Sequence, residues 1–384
     1  MGESLESIAK IMHFNEYLYF IILLLPMPKI LNIALIGPGK VAHNHARAVL
    51  ETPDTKLVAV YGRNHARATE FADKYGIAAY SDIYDMVERE KVDVCIVCTP
   101  HPAHREVTVA AFEAGANVLV EKPLASSLAD CDAMIEAARK ANRQLAVVSQ
   151  RRFYEPCMRM RQAIDDGKIG QPVLGHAQLF GWRSEEYYRS DPWRGSWEHE
   201  GGGVLVNQAP HQLDLLLWYM GEMEEVYGVW SNLNHPEIEV DDTAVAVVRF
   251  KNGGIGNVIV SNSQKPGLYG KVHIHGQNGA SIGVQTDGGS MFIAGMTSIQ
   301  DAPYNDVWSV PDEADLQSVW KAEDDKVFNS VDSSSHYFAR QLADFCQAIN
   351  EGRPSLVTGE EGRKVVALFE AIYESTRTKQ PVRF

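Results

Sequence analysis

Cysteine is scarce in this chain: 384 residues hold five. An odd, small number does not make a disulfide framework. Cys95 and Cys98 have C-x-x-C spacing, but they lie inside "VDVCIVC", which reads as a strand. Residues three apart on a strand point to opposite faces, which argues against a redox pair or a zinc knuckle. Reduced cysteines in a cytoplasmic protein are the better reading. Positive charge is also short. Lys and Arg total 36 against 50 Asp and Glu, a net charge of −14. A nucleic-acid partner demands a basic surface, so none is expected. There is no low-complexity tract and no internal repeat. Nor is there a long hydrophobic run. The most apolar stretch, "YLYFIILLLP" at 17–26, falls short of the roughly 20 residues a membrane span needs. Glu3 and Glu6 precede it, where a secretory signal would be basic, and Glu6 stands where a myristoylation signal needs Ser or Thr. Residues 1–27 therefore read as an extension, with Met27 a more natural start, and no membrane association is expected. The alternative is a peripheral membrane or partner-binding helix.

What is present is an ordinary globular composition, 45% hydrophobic and 22% charged, in a chain long enough for two domains. In "KILNIALIGPGKVAHNHARAVLE" an apolar run leads into a glycine turn and then a helical pattern. Gly37, Gly39 and Ala42, with Lys40 and Val41 between, fit G-x-G-x-x-A in the strand–turn–helix context that gives the motif meaning. The first glycine allows the tight turn and the second lets the backbone approach a pyrophosphate. The helix N-terminus then faces the anion. Strands at "KLVAVYG", "VDVCIVCT", "ANVLVEK" and "QLAVVSQ" alternate with helical stretches at 64–75, 102–115 and 128–141. That alternation means βαβ units and a parallel sheet. Residues 28–150 are expected to form a Rossmann-type, α/β NAD(P)-binding domain. After the second strand, Gly62-Arg63-Asn64 offers no carboxylate for a ribose 2′-hydroxyl, and Arg63 suits a 2′-phosphate. The expectation leans to NADP. NAD stays open, with Asn64 as a ribose contact.

Two further strands end in polar residues beside proline: Thr99-Pro100-His101 and Glu121-Lys122-Pro123. Ligands of open parallel sheets bind outside the carboxyl ends of the strands, so both ends should face the nicotinamide half of one site. Pro123 holds Lys122 extended, and a cis Lys-Pro bond would fix a tight turn. His101 and His104 have ligand-like spacing, but no third ligand presents itself, and no metal is expected.

Residues 151–384 carry a different pattern. "TAVAVVRF", Lys251-Asn252-Gly253-Gly254 and "IGNVIVSN" read as a hairpin. "PVLGHAQLFGW", "EEVYGVWSN" and "YGKVHIHG" add strands, giving an α+β domain with an open antiparallel sheet. Val245 and Val247, with Val258 and Val260, should alternate onto faces that need cover, so a homo-oligomer is expected. Glycines 201–203 lead into a helix from about Val204, on which Asn207, His211, Asp214 and Trp218 form one stripe at i, i+4, i+7 and i+11. Such a stripe suits a site with His211 facing substrate and a neighbour orienting it; the plain alternative is a satisfied core histidine. Tyr187, Tyr188, Trp193 and Trp197 crowd the segment before the glycines, where aromatic faces suit a sugar ring or simply pack the domain junction.

Taken together, "GPGKVAHNHA", "CTPHPAH", "VEKPLA", "SQRRFYEP" and "WRGSWEHEGGG…H…D" resemble the glucose–fructose oxidoreductase / inositol dehydrogenase (Gfo/Idh/MocA) family, over about residues 28–384. The tail "DFCQAINEGRPSLVTGEEGRKVVALFEAIYEST" shares the likeness. The resemblance implies a Rossmann domain, an open-faced sheet domain and C-terminal helices that pack back on the first. It also implies NAD(P)-dependent redox chemistry, without a metal, on a secondary hydroxyl or carbonyl of a sugar, glycoside or inositol-like polyol. It makes Lys122 the lysine beside nicotinamide and substrate, and His211 the acid/base histidine. The family's Asp is here Asn207, which cannot take a proton but can hydrogen-bond His211 or substrate. That puts proton transfer on His211, with Lys122 in support. Tyr188 is the aromatic expected against substrate. Gln150, Arg151, Trp193 and Arg194 are implied cofactor-side contacts, with Thr99, Pro100, His101, His104 and Glu121 lining the same side. Two other readings stand beside this one. The first is a glycosidase or lyase that oxidises its sugar transiently. The second is a non-catalytic cofactor-sensing regulator, against which intact Lys122 and His211 argue.

Overall fold

The apolar runs of the first half form one six-stranded parallel sheet in a computed structural model that describes residues 29–268, 270–287 and 301–384. The extension at 1–27 lies outside the described residues. Strand β1 (Leu31–Ile36) leads to helix α1 (Ala42–Glu51), β2 (Thr55–Tyr61), α2 (His65–Tyr75), β3 (Ala78–Tyr80) and α3 (Ile83–Glu90). Then come β4 (Val94–Val97), α4 (His104–Glu113), β5 (Asn117–Val120), α5 (Leu128–Ala141) and β6 (Leu145–Val147). The spatial order is β3-β2-β1-β4-β5-β6, so the direction of winding reverses between β1 and β4. Both faces are covered by helices, which is why β4 reads Val-Cys-Ile-Val with every side chain buried. The unsignalled pieces are β3 and α3. An edge strand of three residues is too short to show a period.

Helix α6 (Glu155–Asp165) leads into a second sheet built from β7 (Pro172–Phe180), reached before short helices α7 (Glu185–Arg189) and α8 (Val204–Asn207). Next are α9 (Pro210–Met220), β8 (Met223–Ser231), β9 (Thr243–Phe250), β10 (Ile255–Ser261), β11 (Gly270–Gly276), β12 (Ser281–Asp287) and β13 (Tyr304–Trp308). Three helices, α10 (Leu316–Ser330), α11 (His336–Glu351) and α12 (Gly359–Thr378), and the edge strand β14 (Val382–Arg383) finish the chain. The strand order is β13-β12-β11-β7-β10-β9-β8-β14. The sheet is mixed rather than purely antiparallel, because β10 runs parallel to β7. Parallel neighbours need a long crossover, and the segment carrying α7–α9, β8 and β9 supplies it.

One face of this sheet is packed. Along β9, Ala244, Ala246, Val248 and Phe250 point inward and the residues between them outward. Val258 and Val260 are wholly buried, so they belong to the packed face, not to a face awaiting cover as the sequence suggested. Val245 and Val247 are on the open face. The single helix expected from Val204 is two: Pro210, without an N–H and with a fixed φ, ends one run and opens the next. Helix α11 packs Phe338, Leu342 and Phe345 against Ala42, Ala46 and Val49 of α1. Helix α12 touches both sheets. Its first turns meet Leu145 and Val147 of β6, while Ser375 Oγ accepts from Gly228 N (3.1 Å) and Thr376 Oγ1 from Trp230 N (3.1 Å) on β8.

Candidate active site

The glycine loop sits on the end of β4. Gly37 has φ +102°, and a Cβ there would lie 3.0 Å from Thr99 Cγ2 and 3.1 Å from the Cys98 carbonyl carbon. Only glycine permits so close an approach. Gly39 follows, Val41 stands at the N-terminus of α1, and Lys40 reaches Asp191 at 3.3 Å. Two buried polar atoms nearby, Thr99 Oγ1 beyond β4 and Gln150 Oε1 beyond β6, have no hydrogen-bond partner among the described residues. Buried polar atoms are normally paired. A bare glycine loop, a helix N-terminus and unpaired polar atoms beyond the carboxyl ends of β4 and β6 fit a dinucleotide. Arg63, past the end of β2, is exposed. Asn64 caps α2, its side chain accepting from Arg67 N at 3.1 Å, so that oxygen is committed to the helix rather than free for a ribose.

The turn after β5 is held from below. Glu121 accepts from the buried His45 ring at 2.7 Å and from Lys122 N at 3.1 Å. Burial opposes ionisation of Glu121, but His45 and Lys122 outweigh it and hold the carboxyl below its ordinary range. The Lys122–Pro123 bond is cis. His104 is fully buried, with Nδ1 3.0 Å from Pro123 O and Nε2 2.9 Å from Thr99 O. It ties the two strand-end turns together, which corrects the expectation of a cofactor contact. Pro100 opens the short 3-10 turn that carries His101. The His101 ring lies edge-on to Trp193, 5.6 Å between centroids, and Nδ1 is 3.3 Å from Glu200 O. Burial, then the Lys122 charge, holds His101 far below the usual histidine range, so it is neutral.

Lys122 Nζ donates to Asn207 O (2.7 Å) and, at longer range, to Asn207 Oδ1 (3.4 Å). Burial lowers its pKa to about 8, with Glu121 opposing and Arg151 and Arg194 adding to the shift. His211 and Lys122 line one small cavity with Pro123, Val147, Ser149 and Asp214. His211 is buried, and burial followed by Arg151 and Lys122 holds it well below its ordinary value. Asn207 does not orient it. The break before Pro210 takes Asn207 off the stripe, and its amide bonds Lys122, Glu200 and Tyr187 instead. Asp214, although on the wall of that cavity, has its carboxylate oxygens taken up elsewhere. It forms a buried two-pronged pair with Arg152 (2.6 and 2.8 Å) and takes the Ser149 hydroxyl, with Arg152 also bonding Glu361 of α12 at 2.9 Å. Trp218 lies beneath the same guanidinium at 4.9 Å. Half of the polar stripe thus joins the domains.

Gln150 and Arg151 fall in the buried turn after β6, where Arg151 reaches Thr286 Oγ1 at 3.5 Å. Arg194 is stacked between Tyr187 (4.2 Å) and Trp193 (4.4 Å). Tyr188 packs edge-on to Tyr187 (5.1 Å between ring centroids) and with Ile238 and Val240, its hydroxyl accepting from Asn262 at 3.3 Å. Its neighbour Tyr187 is the one that reaches the site, bonding Asn207, Gln208 and Arg194. Trp197 packs on Trp230 and Tyr373 instead. Sequence reasoning missed two carboxylates. Glu200 is buried and bonds Asn207 Nδ2 and Gly195 N. Asp241 accepts from Gly203 N (2.7 Å), Leu205 N (2.9 Å) and Tyr373 OH (2.7 Å). A charged residue directly before three glycines was a signal for Glu200; Asp241, far along the chain, had none.

Two family models match the chain: an oxidoreductase family with an NAD-binding Rossmann fold over residues 31–149, and the Gfo/Idh/MocA C-terminal domain over 157–282. The chain belongs to the Gfo/Idh/MocA family. Among curated Gfo/Idh/MocA relatives, myo-inositol 2-dehydrogenase of Thermotoga maritima is 27% identical over 361 residues, covering 92% of this chain and 98% of that protein. The scyllo-inositol 2-dehydrogenase (NAD(+)) of Bacillus subtilis is 28% identical, covering 64% of this chain and 72% of its own. Among solved structures, the WlbA dehydrogenase of Bordetella pertussis, in complex with NADH and UDP-GlcNAcA, superposes with a TM-score of 0.82 at 26% identity, covering 94% of this chain and 99% of that one. This member of Gfo/Idh/MocA is accordingly an NAD-binding oxidoreductase of the sugar and inositol dehydrogenase type.

Proposed function

We propose that the protein moves a hydride between NAD(P) and a secondary hydroxyl or carbonyl of a sugar, glycoside or inositol-like polyol. The observation that supports this is the placement of Lys122 and His211 on one cavity beyond the ends of β5 and β6. A bound nicotinamide would take or give the hydride, chemistry that is the cofactor's own. The neutral His211 ring takes the hydroxyl proton. The Lys122 ammonium, fixed by Asn207, faces the developing alkoxide and stabilises it electrostatically. Gln150, Arg151, Trp193, Arg194, Thr99 and His101 line the cofactor side. The 2′-phosphorylated cofactor is the preferred one, supported by exposed Arg63 in place of an acid.

The functional unit is a homo-oligomer paired through the open sheet face. Five free, buried cysteines support a reducing, cytoplasmic setting. Among the described residues no helix is long and apolar enough to cross a membrane. The test is to denature purified protein, identify any released nucleotide by mass, and screen inositols, sugars and glycosides by absorbance of reduced cofactor. A ketone product with equimolar reduced cofactor is expected. A cleaved glycoside with no net cofactor reduction would overturn the reading.

A further inference from the structure

Glu200 has no part in the chemistry above, yet it is the most elaborately placed carboxylate near Lys122. Its residue is 1% exposed. Oε2 accepts from Gly195 N at 2.6 Å, and Oε1 accepts from Asn207 Nδ2. Its own carbonyl lies 3.3 Å from His101 Nδ1. On the other side of Asn207, Oδ1 takes the longer Lys122 contact at 3.4 Å and the main-chain oxygen the shorter one at 2.7 Å. The amide is therefore a polar link, ammonium to carbonyl and amide N–H to carboxylate. Its orientation depends on the two charges. Reversed, it would set NH₂ against the ammonium and a carbonyl against the carboxylate.

We propose that Glu200 is the positioning residue of Lys122, holding it through the Asn207 side chain in place and in its ammonium form. This rests on the assignment of Lys122 to the redox site. The groups that face the link come from every element around it. Lys122 meets Glu121, Arg151, Arg194 and Glu200, and faces the buried rings of His101 and His211. Glu200 meets Arg194 and Asp241, with Tyr187 and Tyr188 of α7 and Tyr373 of α12 beside it. Burial, the largest influence, pushes the Glu200 carboxyl up to about 7, while the Gly195 and Asn207 hydrogen bonds and Arg194 pull it back. Glu200 is thus half ionised at neutrality and mostly charged by about pH 8, where Lys122 loses its proton. A carboxylate placed there opposes that loss.

The test reads the Lys122 titration without substrate. Competitive labelling with acetic anhydride across pH, with mass spectrometry of the peptide that contains Lys122, gives the midpoint of its deprotonation. In Glu200→Gln the midpoint should fall by about one unit, the low end of what a nearby opposite charge contributes. Glu200→Asp, which keeps the charge at shorter reach, should lie between the variant and wild type. The alkaline limb of kcat/KM should move down with the midpoint. A folded Glu200→Gln protein with an unmoved Lys122 midpoint overturns the proposal. If Glu200→Gln does not fold, Asn207→Ser carries the test, because it cuts the link and leaves Glu200 in place; an unmoved midpoint there overturns it as well. A wild-type protein that turns over no sugar or polyol sinks the proposed activity but leaves this titration readable.

Discussion

Lys122 and His211 share a cavity yet titrate apart, so pH should separate their roles. Burial and two neighbouring cations hold His211 well below its ordinary range, so it is neutral and able to accept a proton throughout the neutral region. Lys122 loses its proton near 8. Oxidation should therefore show no acid limb near pH 6.5 and a descending limb near pH 8. His211→Asn should lower turnover by roughly 10²–10⁴-fold, the scale of a lost acid–base group. Lys122→Met should also lower turnover but abolish the descending limb, which steady-state profiles from pH 5 to 10 would show. If both variants keep wild-type turnover, the cavity is not the site. Arg63→Ala gives a second reading at this scale. It should weaken NADP(H) binding more than NAD(H), measured by fluorescence titration, because its guanidinium suits a 2′-phosphate. Equal weakening of both would contradict the preference.

The turn from Glu200 into α8 depends on one carboxylate from another part of the chain. Asp241 takes two backbone N–H groups of that turn and the Tyr373 hydroxyl. A Cβ on Gly203 would lie 1.8 Å from Asp241 O, so the turn packs without room for any side chain. Asp241→Asn leaves one N–H without an acceptor, a loss of about 2 kcal/mol, which in a chain this long lowers Tm by a few degrees. Gly203→Ala should do more damage, displacing α8 and with it the Asn207 contacts to Lys122. Circular dichroism melts and turnover check both, and a Gly203→Ala protein of native Tm and activity would refute the packing argument. This element also shows how far the sequence was legible. The glycine loop and the β4 and β5 ends were readable because period, turn chemistry and chain direction agree there. The helix stripe was misread because a 3.6-residue period was carried through Pro210. The two adjacent tyrosines could not be ranked either: both are buried, and only the tertiary contacts bring the Tyr187 hydroxyl to Asn207 and the Tyr188 hydroxyl to Asn262. Glu200 and Asp241 act through contacts that no local pattern encodes.

The open sheet face leaves a contiguous apolar patch. Val229 pairs with Val245 and Tyr227 with Val247 across β8 and β9, and all four are exposed, Val247 by 56%. Patches of this kind mark interaction sites. Light scattering at micromolar concentration should give more than one chain mass, and Val229→Lys with Val247→Lys should return it to one without lowering cofactor affinity. A wild-type monomer would end the oligomer proposal. A different consequence follows from the last helix. The first turns of α12 cover β6, its Glu361 meets Arg152, and its far end bonds β8. The first sheet is thus finished by residues made last. A nascent chain of 150 residues has every strand of that sheet and lacks the helices that cover α1 and β6. It must wait on the ribosome, exposed, for more than half of its own synthesis. Contacts this distant in sequence form late and slowly. The N-terminal half made alone should therefore aggregate, and supplying residues 336–384 as a separate peptide during refolding should recover soluble protein.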